Sequence, residues 1–358
     1  MLEGPDQRVR GASGRDAGKN ARGNLVVRSV VPLSVLDLVP IGSGSTATAA
    51  LENSTALVRR AEELGFTRYW VAEHHGMPGI GSSSPAVLIA HLAAATSRIR
   101  VGSGGVMLPN HQPLVVAEQF GTLEALHPGR IDLGIGRAPG TDPRTAAALR
   151  RGTDPLGADD FPEQLTELVS YFHGDGPVLA VPAVGHEPAV WLLGSSGYSA
   201  QVAGLLGLPF AFAHHFSGHN TMAALQLYRQ TFRPSAVLSE PYSMIAAAVL
   251  AAETDAVARR LAMPSALQFL QLRLGRPGLV PSPEEAAAYP YSDEERAFIE
   301  DRLAGQVIGA PDTVRDGVRE LVERTGVAEL MVVTNAHDGA DRLRSYELLA
   351  AAVTPARI

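Results

Sequence analysis

A closed barrel of eight parallel strands alternating with helices, (β/α)8, is the fold class this sequence predicts, and three observations predict it. Short runs rich in β-branched and aromatic residues alternate with segments of helical period along most of the chain. Eight such runs can be counted, which suits a closed barrel better than an open doubly wound sheet. Polar and glycine residues fall repeatedly just after the runs, at Glu73-His74-His75, Gly104-Gly105, Arg137, Gly194-Ser195-Ser196-Gly197 and His214-His215. In a barrel those strand ends converge on one face, where active sites of this architecture are built.

Residues 1–28 are rich in Gly, Arg, Asp and Asn without an apolar period. They read as a disordered extension or an expression remnant, leaving 29–358 as one barrel domain. Pro32 to Val39 is the first strand, followed by a helix through Leu51, Leu57, Val58, Ala61 and Leu64 that Gly65 stops. Arg68 to Ala72 is the second strand, and Ser84-Pro85 supplies an N-cap and a first-turn proline for a helix running to Ser97. Arg98 to Leu108 is a third strand with a glycine interruption, and Pro113 to Ala125 its helix. Gly129 to Gly136 is the fourth, separated by a long Gly/Pro/Asp loop from a helix over Asp160 to Phe172. Ala189 to Leu193 and Pro209 to Ala213 are the fifth and sixth strands, each leading to a helix, Tyr198 to Leu206 and Thr221 to Phe232. Tyr242 to Ala251 is the seventh and runs into a helix from Asp255. Residues 277–308, with Pro281, Pro283, Pro290 and acidic clusters, break the rhythm and read as an inserted, lid-like loop on the active-site face. Thr313 to Arg324 and Glu329 to Thr334 close the series as helix and eighth strand, with a C-terminal helix after it.

Composition narrows the function classes. A formal net charge of −7 without an arginine-rich block argues against a nucleic acid or an anionic membrane as partner and favours small-molecule chemistry. With no cysteine, disulfides, a thiolate nucleophile, cysteinyl zinc and iron–sulfur clusters are excluded. No apolar run approaches the ~18 residues of a membrane span and no signal-peptide core is visible, so a cytoplasmic protein is expected.

The strand ends carry the chemistry. Gly194-Ser195-Ser196-Gly197-Tyr198-Ser199 lies between an apolar strand and a helix, where glycines admit close approach and the helix N-terminus offers free N–H donors, as a phosphate seat requires. An ordinary serine N-cap explains the same residues equally well. Gly134-Ile135-Gly136 fails as a dinucleotide loop because Pro139 stands where a third glycine belongs, though Arg137 can still reach an anion or an electron-rich ring. Ser103-Gly104-Gly105 inside a strand signals a bulge or close approach to a planar ligand, with barrel-corner geometry slightly the better explanation from these residues alone. Glu73-His74-His75 and His214-His215 with His219 are weak metal patterns, since neighbouring strand residues face opposite ways and no spacing marks a third ligand. An acid–base role for one histidine is favoured, and no metal is expected. His75, His91, His127 and His186 read equally as packed histidines.

Taken together, LSVLDL, RYWVAEHH, the run from Arg98 to Gly140, WLLGSSGYSAQVAGLLGLPFAFAHHF and ELMVVT resemble the bacterial-luciferase-like flavin monooxygenases. Within them the chain is similar to a subgroup of luciferase-like oxidoreductases, from about Pro32 to the C-terminus. The resemblance implies a luciferase-type barrel binding reduced FMN, with its phosphate near Ser195, Ser196, Gly197, Tyr198 and Ser199 and assisted by Arg137. It places Gly104-Gly105 where relatives carry a non-prolyl cis peptide under the flavin ring. Glu73 matches a flavin-site carboxylate, and His74 the histidine assisting formation or decay of a C4a-peroxyflavin.

The function so implied is a two-component monooxygenase: a separate flavin reductase supplies FMNH2, and O2 oxidises a small organic acceptor, aromatic and polyketide-type metabolites included. A homodimer is part of the expectation. An F420-dependent hydride-transfer enzyme on the same fold and a non-catalytic flavin-binding protein are the alternatives. Two departures matter: Gly136 stands where a luciferase carries a cysteine, and His214 where it carries a tryptophan, which is expected to alter the substrate pocket.

Overall fold

The computed structural model describes residues 31–138, 142–149 and 160–353, and the extension read over 1–28 lies outside them. Eight parallel strands form a closed ring: β1 (Leu33–Asp37), β2 (Arg68–Val71), β3 (Arg100–Met107), β4 (Ile131–Gly136), β5 (Ala189–Gly194), β6 (Phe210–Phe212), β7 (Ser243–Ala251) and, after a short β8, β9 (Glu329–Val333). Closure comes from β6 pairing with both β5 and β7, and from β9 pairing with both β7 and β1. The helices are α1 (Ala47–Leu64), α2 (Pro85–Ala94), α3 (Pro113–Leu126), α4 (Pro143–Leu149), α5 (Phe161–His173), α6 (Gly197–Leu206), α7 (His214–Ser217), α8 (Thr221–Thr231), α9 (Asp255–Arg273), α10 (Pro283–Ala288), α11 (Asp293–Ala304), α12 (Pro311–Thr325) and α13 (Gly339–Val353). No helix among the described residues is long and apolar enough to cross a membrane.

Strand alternation sorts each strand's side chains between two apolar layers. Leu36, Trp70, Trp191, Met244 and Met331 fill the barrel interior, while Val35, Tyr69, Val71, Val101 and Leu133 face the helices. A charged cluster closes the amino-terminal end of the interior. Arg68 pairs with Asp132 and Glu329, each at 2.8 Å, and its guanidinium lies 4.7 Å from the Trp191 ring. Trp70 donates its indole N–H to Asp132 at 2.9 Å. A side chain at Gly102 would meet both Asp132 and that indole, so glycine is what lets the tryptophan in.

Helix boundaries follow their local signals. Thr46 caps α1 by accepting from Ala49 N–H, and Gly65 ends it at φ 84° in the left-handed region. Three elements depart from the sequence reading. The long loop after β4 contains α4, whose start is held by the Asp142 carboxylate accepting the N–H groups of Arg144 and Thr145. The 277–308 insertion is two helices and a strand in place of an irregular loop. Both helices open with capping boxes, Ser282 with Glu285 and Ser292 with Glu295, and pack against α9 through an apolar cluster of their own. The added strand, β8 (Val307–Gly309), pairs with the end of β7 outside the ring. Finally, α9 continues through Pro264 although proline forfeits one helical hydrogen bond, because burial on both sides of it holds the helix in place.

Candidate active site at the carboxyl-terminal rim

Glu73 follows β2 on the strand side that faces away from the barrel interior. Its carboxylate is fully buried and takes four donors: His75 Nε2 and His111 Nε2, both at 2.9 Å, Met107 N–H at 3.0 Å and the Asn110 amide at 3.4 Å. Burial alone would raise this carboxyl. The bonds and charge from His111, then the bonds from His75 and Met107, outweigh that and hold it below the ordinary range. Because a carboxylate only accepts, His75 and His111 must both present Nε2–H to it. Glu73 therefore acts through others, fixing two imidazoles and the end of β3. His75, read from sequence as equally a packed residue, is one of those two and also reaches the cavity described below.

The turn from β5 into α6 has the properties of an anion seat. Ser196 is the N-cap residue, extended at φ −145° and ψ 176°, and its hydroxyl makes no capping bond. The hydroxyl and the first-turn N–H groups of Gly197, Tyr198 and Ser199 remain available donors. Arg137, just beyond β4, places its guanidinium 4.2 Å from the Tyr198 ring. Hydroxyl, helix terminus and cation together match a phosphate monoester. The Gly104–Gly105 peptide is cis. A side chain at Gly104 would strike Leu36 and Trp70, and one at Gly105 the Gly134 carbonyl, so barrel packing alone already requires glycine at both.

A cavity of about 450 Å³ opens on the same rim. Its wall includes Leu38, His74, His75, His215 and Val333, and α9 and α11 roof it with Phe269 and Arg302. Just before Leu38's neighbours reach the wall, β1 has ended in Asp37. Val39 then adopts φ 54°, unusual for a β-branched residue, with its N–H given to the Asp37 carboxylate at 2.6 Å. His74 is anchored by its N–H to the Ser82 carbonyl at 2.9 Å. Gly104, Gly105, Arg137 and Ser195 to Ser199 are not on this wall; the structure places the two glycines within the second half of β3 and the others just after β4 and β5.

His214, expected to alter the substrate pocket, instead turns to Thr221 Oγ1 at 2.7 Å. The next residue, His215, reaches the wall, with Nδ1 3.0 Å from the Ala246 carbonyl. That nitrogen must be the donor, so Nε2 is left as an acceptor. Burial first, and then the neighbouring Arg302 charge, push His215 down to about 4, so it is neutral at neutral pH. The sequence reading missed His111, Asn110 and Arg302. The first two lie inside the Arg98–Gly140 run but in a stretch without local spacing that marks a site, and Arg302 sits among the acidic residues of the segment read as a loop.

Comparison with known proteins now has a site to refer to. A profile of the luciferase-like monooxygenase family matches residues 31–329, and the chain belongs to that family. It is an oxidoreductase of that kind. It is 46% identical to a luciferase-like monooxygenase of Escherichia coli over 89% of this chain and 96% of that one. It is 35% identical to the N-acetyl-S-alkylcysteine monooxygenase of Bacillus subtilis over 92% of this chain and 100% of that protein. The solved structure of apo-MsnO8 superposes with a TM-score of 0.83 at 41% identity, covering 91% and 99% of the two chains. Two more distant structures share the fold: the FMN complex of a type II Baeyer–Villiger monooxygenase component from Pseudomonas putida (20% identical, TM-score 0.68, 92% and 99% covered) and an F420-dependent secondary alcohol dehydrogenase (14%, 0.64, 91% and 99%).

Proposed function

We propose that this chain is the oxygenase of a two-component system, using FMNH2 from a separate reductase and O2 to oxidise a small organic acceptor. The observation that carries the reading is the donor-rich start of α6 with Arg137 beside it, on the same rim as an apolar cavity walled by His74. The N-acetyl-S-alkylcysteine monooxygenase among the relatives and the FMN-bound fold relative support it. Reduced FMN, when bound, supplies the electrons that activate O2, one oxygen atom going to the acceptor and the other to water.

The protein's part is positional. Ser196, the first-turn N–H groups of α6 and Arg137 would hold the phosphate, and the Gly104–Gly105 backbone would lie against the ring. The apolar cavity would exclude water from the acceptor. His74 would deliver and remove protons at the cavity edge, and Glu73 would keep His75 and the end of β3 in register. A homodimer joined through α2 and α3 belongs to the proposal, because Val87 is 74% exposed and Leu126 65% exposed on those two helices. Sedimentation of the wild-type protein checks it.

Titration with FMN, riboflavin and F420 tests the cofactor. We expect FMN to bind tighter than riboflavin, and Arg137→Met to remove about tenfold of that preference, since a hydrogen bond to a charged group is worth ~1.5–3 kcal/mol. Preferential binding of F420 would replace the proposal with hydride transfer. FMN binding without oxygenated product from any acceptor, when a reductase is supplied, would leave a flavin-binding protein.

A further inference from the structure

Among the described residues, four buried side-chain polar atoms lack a hydrogen-bond partner, and two of them, Arg302 Nε and Asn335 Oδ1, belong to residues on the wall of the cavity that holds His74. One is a donor and the other an acceptor. Native interiors rarely leave such atoms unpaired, so each calls for a partner from outside the chain.

Arg302 is the more telling. The other deeply placed arginines have counter-ions: Arg68 has Asp132 and Glu329, and Arg342 has Asp37. Arg302 makes no ion pair with a described residue; its guanidinium sits 3.5 Å from the Phe269 ring, itself stacked on Phe298. Stacking on a ring face leaves the in-plane N–H fork directed elsewhere, the geometry that receives a carboxylate. Burial pushes this arginine down to about 10, which still leaves it charged at neutral pH. The acid on the cavity wall, Asp142, keeps its negative charge but is exposed, is held by Thr145 and the backbone at the start of α4, and makes no ion pair with Arg302; His215 is neutral. The cavity therefore presents the Arg302 charge without an ion-pair partner among the described residues, in mainly apolar walls and in a volume within the ordinary range of small-molecule sites, roughly 300–1,000 Å³.

We propose that Arg302 is the counter-ion for a carboxylate on the oxidised substrate and that Asn335 Oδ1 accepts a hydrogen bond from an N–H or O–H of the same molecule, which makes the substrate class a small, largely apolar carboxylic acid carrying a donor group. This rests on the reading of the cavity as the acceptor site of the oxygenase. The 277–308 insertion then serves specificity: its helix α11 brings the charge, and α9, on which it packs, the aromatic face that orients it.

The test is calorimetric binding of matched probes to the full chain: N-acetylphenylalanine, N-acetylmethionine and hydrocinnamate, each against its own primary amide. Wild type is expected to prefer at least one acid over its amide by about tenfold or more. Arg302→Met should abolish that preference while leaving the amides bound as before, and Arg302→Lys should retain part of it, which covers the case in which the methionine variant fails to fold. Asn335→Leu should weaken the N-acetyl acids and spare hydrocinnamate, which lacks the amide donor. No acid preference in wild type, or a preference that survives in folded Arg302→Met, overturns the proposal. FMN titration of the same samples separates the two readings. Acid preference without FMN binding sinks the flavin assignment alone, and FMN binding without acid preference sinks this one alone.

Discussion

His74 and His215 stand on the same cavity wall in different states of commitment. His74 is the proton-handling residue of the proposal, so His74→Ala should leave FMN affinity unchanged while O2 consumption yields mostly free hydrogen peroxide in place of oxygenated acceptor. An unchanged peroxide yield would remove its role. His215 is half-buried and neutral, and its pH signature follows from the sign of its shift. The unfolded chain takes up this proton near the ordinary 6.5 and the folded protein only near 4, so between those values the unfolded state binds more protons. Stability should therefore fall as pH drops through that window, and His215→Gln should flatten the pH dependence of denaturant midpoints there. Glu73 was visible in the sequence as the end of RYWVAEHH, but its partners were not. Met107 and His111 lie 34 and 38 residues away and meet it only when β2 and β3 lie side by side.

At the level of elements, the phosphate seat is as well placed as α6 is. Gly204, two turns beyond Gly197, lets α6 lie against α8: a Cβ there would fall 2.3 Å from Thr231 Oγ1, 2.9 Å from the Tyr228 carbonyl and 3.1 Å from Phe232 N. The hydroxyl can rotate away, but the backbone atoms cannot. Gly204→Ala should push α6 outward, costing about 1–3 kcal/mol of stability and weakening FMN binding from a position that touches no ligand. Thermal denaturation and FMN titration on the same protein check both parts; unchanged FMN affinity in a destabilised variant would uncouple the seat from this contact. The insertion teaches a related point. S-x-x-E stands twice within 277–308 and announced two helix starts, yet prolines and acidic residues around them read as loop because neither helix is long or strongly patterned. Docking on α9 supplies the stability that their own sequences lack.

For the molecule as a whole, chemistry and stability occupy opposite ends of the barrel. The rim holds cavity and seat, while the amino-terminal end is closed by Arg68, Asp132, Glu329 and their neighbours. Arg68→Met would leave two buried carboxylates short of a partner and should cost about 3–5 kcal/mol. Denaturant unfolding measures that loss, and FMN affinity of the folded protein should stay as in wild type. A matching loss of affinity would show the two ends to be coupled.

The alternation of strands and helices, the closed barrel and the polar strand ends could be read from the chain alone, because burial imposes a period of two or of about 3.6 on short segments and turns demand particular residues. The family could be read from motifs strung along it. Tertiary structure alone decided that His215 and not His214 reaches the cavity, that Glu73 is a fastening point for two histidines, that α4 and the insertion helices form, and that Arg302 sits charged without a counter-ion among the described residues. Each of these depends on which distant segments are brought together when β9 pairs with β1 and the insertion settles on α9. No local pattern encodes that meeting, since a residue's period records whether it is buried and not what it is buried against.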